Sequence, residues 1–312
     1  MVEGKGKGGK GGKGRHRRPP RNQPARPESP ETWRQAPRTK SPPSAGGEGE
    51  THTRIVNADL SLPWMQDNIK PESKKILDDL MQIDPSISTT AWVPMVDLGQ
   101  NEPAVNQGSF LGGNRCLMKK AEALPVCLTC KSQLNFVCQI DRASLLHPFQ
   151  GVGLIQVFAC PKCAHSNIAK PRNCCWATLV DPTDKSVEYE VRQVPAPRPN
   201  GRRVVKWLPR KDYMHPSEAE ILFKRSLSVD EWRVLGEAQI RGDKIGGCVP
   251  WLNCSDNERS RLKCKLCDKQ QRLVIAIDTF DNLAYEWGHD GSLLVFDCAS
   301  HPEQVTALVV ST

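Results

Sequence analysis

The feature that most constrains this chain is a repeat of cysteine-containing segments more than a hundred residues apart. The segment CLTC at residues 127–130 matches CKLC at 264–267, and a run ending at Asp141 matches one ending at Asp278, both with an offset of 137. GLIQVFAC at 153–160 matches GSLLVFDC at 291–298 with an offset of 138, so one inserted loop residue explains the change. FLGG at 110–113 likewise matches KIGG at 244–247. This spacing predicts two copies of one folding unit rather than a solenoid of short repeats.

Each copy contains the ligand pattern of a zinc site. A Cys-x-x-Cys pair is followed after about 30 residues by a second pair with the same two-residue spacer. Zn²⁺ accepts four thiolate or imidazole ligands tetrahedrally, and the short spacer lets one tight turn direct two side chains at one ion. Four protein ligands leave no open position, so both sites are expected to be structural. The predicted ligands are Cys127, Cys130, Cys160 and Cys163 in the first copy and Cys264, Cys267, Cys298 and His301 in the second.

Other interpretations of these residues stay open at the level of sequence. The cysteines could be reduced core residues, since free Cys is often a small buried side chain. His301 precedes Pro302 and could be an ordinary exposed histidine, and the adjacent Cys174 and Cys175 could compete for the first site. The remaining cysteines have no two-residue partner, and we interpret them as core or surface thiols: Cys116, Cys138, Cys248 and Cys254.

The charge of the chain is concentrated in its first 54 residues. This segment has 13 Lys plus Arg and five Glu, a formal charge of +8, which equals that of the whole chain (43 minus 35). Its Gly, Pro and Ser content cannot bury enough apolar surface to fold, so we predict a disordered tail. Spaced cations on a flexible backbone favour contact with the phosphates of RNA or of the ribosome. Nuclear import and a purely solubilising role are the alternatives.

The rest of the chain predicts an α+β, β-rich fold with a zinc-ribbon-like Cys-x-x-Cys insertion in each copy. The expected organisation is a first repeat at 55–175, linking strands and helices at 176–240, and a second repeat at 241–312. Helical periodicity predicts helices at 70–83 and 216–225, and a third helix with a capping box from Ser228 to Glu231. Alternating apolar runs predict strands at 91–98, 176–180, 187–194 and 204–208.

Two compositional features indicate the cellular location. No apolar stretch approaches the roughly 18 to 20 residues of a membrane span, and the start has no apolar signal core. Thirteen cysteines, an odd number, with three Cys-x-x-Cys pairs, favour metal binding in a reducing compartment over disulfides. We therefore expect a soluble protein of the cytoplasm, with the nucleus as the alternative, and no membrane partner.

Several motifs resemble known families. KIGG followed by Pro250-Trp251, the Cys-x-x-Cys pair, IAID and YEWGHDGSLLVFDCASHPEQ resemble the YwqG-like family of unknown function (the DUF1963 domain) over about residues 75–312. That family's Trp and Asp-Tyr-Pro region is similar to residues 204–220, although Met214 and His215 separate Tyr213 from Pro216 here. Residues 244–276 also resemble, in part, the programmed-cell-death-2-like ribosomal-protein chaperones. The second resemblance implies a protein that shields a ribosomal protein before assembly.

No convergent catalytic set is recognisable in the sequence. The nearest candidates are the repeat-equivalent Asp141 and Asp278, with His289 and Asp290, but acids after a buried strand are more often turn residues. The Gly-Gly pairs at Gly112 and Gly246 lack the setting of a dinucleotide loop and indicate tight turns or close backbone approach. We therefore expect no enzyme and no catalytic residue. The expected function is a zinc-stabilised protein-binding adaptor or chaperone; the alternatives are an enzyme using a cleft between the repeats and a nucleic-acid-binding zinc protein.

Overall fold

The structure is a computed structural model that describes residues 55–56, 69–97, 104–164, 173–195, 201–251, 262–279, 281–283, 285–287 and 291–310. The predicted tail at 1–54 lies outside these residues, as do Cys254, His289 and Asp290. Within the described ranges, no helix combines the length and the apolar character needed to cross a membrane.

The described chain is rich in β-structure. Three helices are present: α1 Pro71–Ile83, α2 Pro216–Phe223 and α3 Val229–Ala238. The strands in the first part of the chain are β1 Ile55–Val56, β2 Ser88–Asp97, β3 Phe110–Leu111, β4 Arg115–Lys119, β5 Asn135–Asp141, β6 Leu154–Ala159 and β7 Cys175–Val180. Those in the second part are β8 Tyr189–Gln193, β9 Arg202–Tyr213, β10 Lys244–Gly246, β11 Arg272–Asp278, β12 Ser292–Asp297 and β13 Thr306–Val310.

One antiparallel sheet organises the molecule. Its strand order is β13-β12-β11-β10-β2-β9-β3-β5-β6-β7, with β1 beside β2, and β4 pairs with β8 in a separate two-stranded sheet. The long β2–β9 pair lies in the middle, with one set of four strands on each side. We call β3, β5, β6 and β7 the first half and β10, β11, β12 and β13 the second half. The two outermost strands, β7 and β13, contact each other, so the sheet curls into a nearly closed, barrel-like form.

The two halves repeat one pattern of strand pairing. Phe110 pairs with Gln139 in the first half, and Lys244 pairs with Ala276 in the second. The register between β5 and β6 shifts between residues 136 and 138, and that between β11 and β12 shifts between residues 273 and 275, which is the same place at an offset of 137. A β-bulge at equivalent points bends both pairs of strands alike. The offsets seen in the sequence are therefore also the offsets of the strand pairing.

Both halves contribute to one apolar interior. Phe136 and Phe158 from the first half belong to the same buried cluster as Ile275 and Val295 from the second. The opposite faces of the strands are covered as well, by Leu117 of β4 in the first half and by Val249 and Trp251 in the second. Burial on both faces explains why β6 and β12 are buried along their whole length, including their polar residues Gln156, Ser292 and Asp297.

The helices form a second, smaller core against the end of β9. Leu77 and Leu80 of α1 pack with Leu235 of α3, and Tyr213 of β9 joins the same cluster. The predicted helices are confirmed at 71–83 and 216–223, and Ser228 and Glu231 form both hydrogen bonds of the capping box that begins α3. The four predicted strands correspond to β2, β7, β8 and β9, although β9 is longer than expected.

Candidate metal centres

Each Cys-x-x-Cys pair lies in a tight turn before the first long strand of its half. In the first half, the Lys131 amide donates to the Cys127 carbonyl (2.9 Å), and Lys131 has a left-handed φ of 60°. In the second half, the Asp268 amide donates to the Cys264 carbonyl (2.9 Å), and Asp268 has a φ of 56°. The left-handed residue turns the chain back so that both cysteines of a pair face the same side.

The second pair of each half follows directly after a buried strand. Cys160 follows β6, and its sulfur accepts a hydrogen bond from the Cys163 amide (3.4 Å). Cys298 follows β12, and its carbonyl accepts from the His301 amide (3.1 Å). These turns place the second pair of side chains against the first, because the two strands of each half are antiparallel neighbours.

The structure brings all eight predicted ligands into two groups. The first group is Cys127, Cys130, Cys160 and Cys163, and the second group is Cys264, Cys267, Cys298 and His301. Within each group all four ligand atoms lie within 4.8 Å of one another. Both groups can therefore hold a metal ion.

The distances inside the groups fit four ligands around one ion. Sγ–Sγ distances are 3.5 Å between Cys130 and Cys160 and 3.5 Å between Cys267 and Cys298. His301 Nδ1 lies 3.5 Å from Cys264 Sγ and 3.7 Å from Cys298 Sγ. Tetrahedral ligands about 2.3 Å from a metal stand about 3.8 Å apart, whereas a disulfide requires about 2.05 Å. The spacing matches metal ligands and not disulfides.

The thiols of the groups do not titrate alike. Hydrogen bonds from Ser132 lower the pKa of Cys130 to about 6. Desolvation acts to raise the pKa of Cys298, but hydrogen bonds from the Ser300 backbone and from His301 outweigh it and bring that pKa to about 6. Each group thus contains one thiol that is readily ionised near neutral pH, which is the form that binds metal.

The other described cysteines do not join these groups. None of the twelve cysteines in the described ranges forms a disulfide. Cys174 and Cys175 are buried beside the first group but belong to neither group. Cys116, Cys138 and Cys248 are buried as well, and burial raises the pKa of Cys116 and of Cys248 to about 12. They are core thiols, as expected.

The two aspartates considered as catalytic candidates form local hydrogen bonds. The Asp141 carboxylate accepts from the Ala143 amide (2.9 Å) and caps a single 3-10 turn. The Asp278 carboxylate accepts from the Gly242 amide (2.8 Å), the Thr279 amide (2.8 Å) and the Ser292 hydroxyl (3.2 Å).

Both Gly-Gly pairs have a left-handed backbone. Gly112 and Gly246 have φ values of 76° and 64°. A Cβ on Gly247 would clash with the Asp212 carboxylate, so this glycine permits a close approach of the backbone to that group. Of the two expectations, tight turns or close backbone approach, the structure confirms the close approach at Gly247.

Two buried ion pairs were not found by reasoning from the sequence. Lys244 Nζ donates to Asp212 (2.6 Å), and both side chains are almost fully buried, at 1% and 0% exposure. Arg142, from the first half, contacts Asp297 of the second (3.3 Å), and Arg272 contacts the same carboxylate (2.7 Å). One feature of the repeat could have indicated the first pair. Lys244 stands where the first copy has Phe110, so a charged residue occupies a core position.

No protein-family model matches the chain, and no curated protein matches it.

Proposed function

We propose that this chain is a zinc-stabilised protein-binding protein, an adaptor or chaperone, with zinc in both groups. Thiolate and imidazole ligands at these distances suit Zn²⁺, and a closed set of four protein ligands leaves no position for a substrate. We infer binding rather than catalysis for this reason. The lack of disulfides among the described cysteines supports a reducing compartment such as the cytosol.

The main support for protein binding is a pair of exposed leucines, one on each Cys-x-x-Cys turn. Leu128 lies between Cys127 and Cys130, and Leu266 lies between Cys264 and Cys267; each is 61% exposed. A metal ion would hold each turn rigid, so both leucines would project from fixed positions and lose little freedom on binding. Contiguous exposed apolar side chains mark contact surfaces, and Leu128 adjoins the exposed Val126 in one groove.

A groove beside the first turn strengthens this interpretation. It has a volume of about 350 Å³ and is lined by Leu128, Val126, Pro125 and Trp176, among others. Val126 is itself 51% exposed. An apolar side chain of a partner protein would bury these surfaces together, which favours a protein ligand over nucleic acid at this place.

The test is co-purification of partners with full-length Leu128→Glu and Leu266→Glu variants. Ile221→Glu is the matched control, because Ile221 is also exposed (66%) but lies on α2. We expect the two leucine variants to lose partners that the wild type and the control retain, with zinc content and thermal stability unchanged. Equal retention by all four proteins would refute binding through the turns.

We propose that the basic segment at 1–54 contacts RNA or the ribosome. Its formal charge of +8 supports phosphate binding. Replacing Lys5, Lys7, Lys10 and Lys13 by Gln in the full chain should weaken binding to a single-stranded RNA oligonucleotide. It should also flatten the decline of affinity with salt, by about 0.7 in the logarithmic slope per lost phosphate contact. An RNA affinity that changes neither with salt concentration nor with these substitutions would contradict the proposal.

We further propose that the two halves arose by duplication and that the chain is related to the YwqG-like family. Matching strand order, register and bulges support the first statement. The KIGG, IAID and FDCASHPEQ motifs support the second. A shared ancestor would explain why two ligand groups occur at equivalent positions of one barrel-like sheet.

A further inference from the structure

The second half contains a polar cleft that the proposed function does not use. Lys244 of β10, Asp278 of β11 and Ser292 of β12 line it from the sheet. Gln239 and Arg241, from the chain between α3 and β10, line another side, and His215 at the start of α2 completes it. Its volume is about 450 Å³, which is enough for a small molecule or a few residues of a peptide.

The charged groups beside the cleft are held in place by hydrogen bonds. Besides Lys244, the Asp212 carboxylate accepts from the amides of Tyr213 (2.9 Å), Ile240 (2.8 Å) and Cys248 (2.8 Å). Asp278 is fixed by the three hydrogen bonds described above. A site with positions fixed in this way needs little reorganisation when a ligand enters.

The free hydrogen-bonding capacity of the cleft consists mainly of donors. Lys244 donates to Asp212 and to the Ile240 carbonyl (3.1 Å), and no described residue accepts its third N–H. The amide nitrogen of Gln239 is buried and has no hydrogen-bond partner among the described residues. Arg241 is exposed and forms no ion pair with any residue in the described ranges. A ligand that accepts hydrogen bonds would satisfy these groups.

The charges further narrow the class of ligand. Asp212 neutralises Lys244, so Arg241 is the one cation of the lining without a partner in the described chain, and Asp278 would repel a doubly charged anion. The guanidinium fork of an arginine matches the two oxygens of a carboxylate. We propose that this cleft binds a carboxylate group, held by Arg241 with Gln239 and Lys244 as additional donors.

The equivalent place in the first half cannot form such a site. Phe110 stands at the register position of Lys244, and Leu154 stands at that of Ser292. Both are buried in apolar clusters. The site therefore belongs to the second half alone and is independent of the exposed leucines.

The carboxylate could belong to a free organic acid or to the C-terminus of a peptide, and calorimetry with two kinds of probe distinguishes them. One probe is butyrate, which carries a single carboxylate; the other is a short peptide with a free C-terminus, compared with the same peptide amidated. The protein is the full chain as wild type, Arg241→Gln, Gln239→Glu and Arg203→Gln. Arg203 is the matched control, because it is an exposed arginine on β9 that does not line the cleft.

We expect at least one carboxylate probe to bind the wild type and the Arg203→Gln control equally. Affinity should fall about tenfold or more in both other variants. Arg241→Gln loses a charge-assisted hydrogen bond to the carboxylate, and Gln239→Glu introduces a negative charge that repels it. Binding of butyrate alone identifies a free acid, and binding of only the free-ended peptide identifies a C-terminus. Equal binding of the amidated peptide, tighter binding of inorganic phosphate, no binding of any carboxylate, or equal loss in the Arg203→Gln control would each overturn the proposal.

Discussion

The two halves of the sheet share strand order, register and a ligand group, yet they differ in what they bury. The first half has four cysteines in its group and apolar side chains at the positions of Phe110 and Leu154. The second has three cysteines and a histidine, and it buries Lys244 and Asp243. One backbone pattern thus places Phe110 and Leu154 in one half where the other half buries Lys244 and Ser292. The carboxylate cleft proposed above depends on this difference.

Replacing one metal ligand should have the largest effect on stability. It also tests whether each half requires its own metal ion. We expect Cys127→Ser and Cys264→Ser each to lose about one zinc per chain and to destabilise the protein by several kcal/mol, because metal binding is coupled to folding. Metal analysis and thermal unfolding measure both. Cys175→Ser is the control, since Cys175 is buried beside the first group without belonging to it. A metal-free chain with unchanged stability would refute structural zinc.

Breaking the ion pair between the halves should have the second-largest effect on stability. Arg142 and Asp297 are 3% and 0% exposed, and their counterparts at the repeat offsets are Thr279 and Ala159. Arg142→Met should cost about 2 kcal/mol, below the usual cost of breaking a buried pair, because Arg272 still contacts Asp297. Urea unfolding measures it. Arg272→Met, at a more exposed partner, should cost less; the reverse order would show that Arg142 does not join the halves.

Exchanging the last ligand of each group, His301 or Cys163, should have a smaller effect on metal binding. The exchange tests whether the two groups are equivalent. We expect His301→Cys and Cys163→His to keep both metal ions, with affinities within about tenfold of the wild type, because either side chain can complete a tetrahedral zinc site. After cobalt substitution, the thiolate charge-transfer absorption should rise in His301→Cys and fall in Cys163→His. Loss of metal from one variant only would show that the surrounding turns select the ligand.

The smallest expected effect concerns one hydrogen bond that the halves make differently. The Asp141 amide donates to the Ser109 hydroxyl (3.0 Å), whereas the Asp278 amide donates to the Asp243 carboxylate (2.9 Å). Burial, with Asp281 and Asp278 nearby, raises the pKa of Asp243 well above its usual range. The folded state therefore binds the proton more tightly than the unfolded state, and stability declines as pH rises from about 4 towards the folded pKa.

Asp243→Asn should reduce this decline, since the amide keeps an acceptor oxygen and does not titrate. Denaturant unfolding between about pH 4 and pH 8 measures the slope. Ser109→Ala is the comparison in the first half and should lower stability by about 1 kcal/mol without changing the slope. An unchanged slope in Asp243→Asn would assign the pH dependence to other groups.

The sequence by itself determined the local elements and the two ligand groups. Helical periodicity and caps predicted α1, α2 and α3, because these signals act within a few residues. The eight ligands followed from two-residue spacers and a constant offset, since a Cys-x-x-Cys turn directs its side chains irrespective of the surrounding fold. The repeat offsets also matched the strand register, pair for pair.

The tertiary structure alone decided how the halves combine. The placement of β2 and β9 between the halves, the shared core and the contact of β7 with β13 depend on pairings between distant segments, and no local pattern encodes them. The partners of the buried charges could not be predicted from the sequence for the same reason. Asp212 lies 32 residues from Lys244, and Asp297 is 155 residues along the chain from Arg142 (297 minus 142), so only folding shows that each charge is neutralised. The pair with Asp212 neutralises Lys244 at a position of the sheet where the other half holds Phe110.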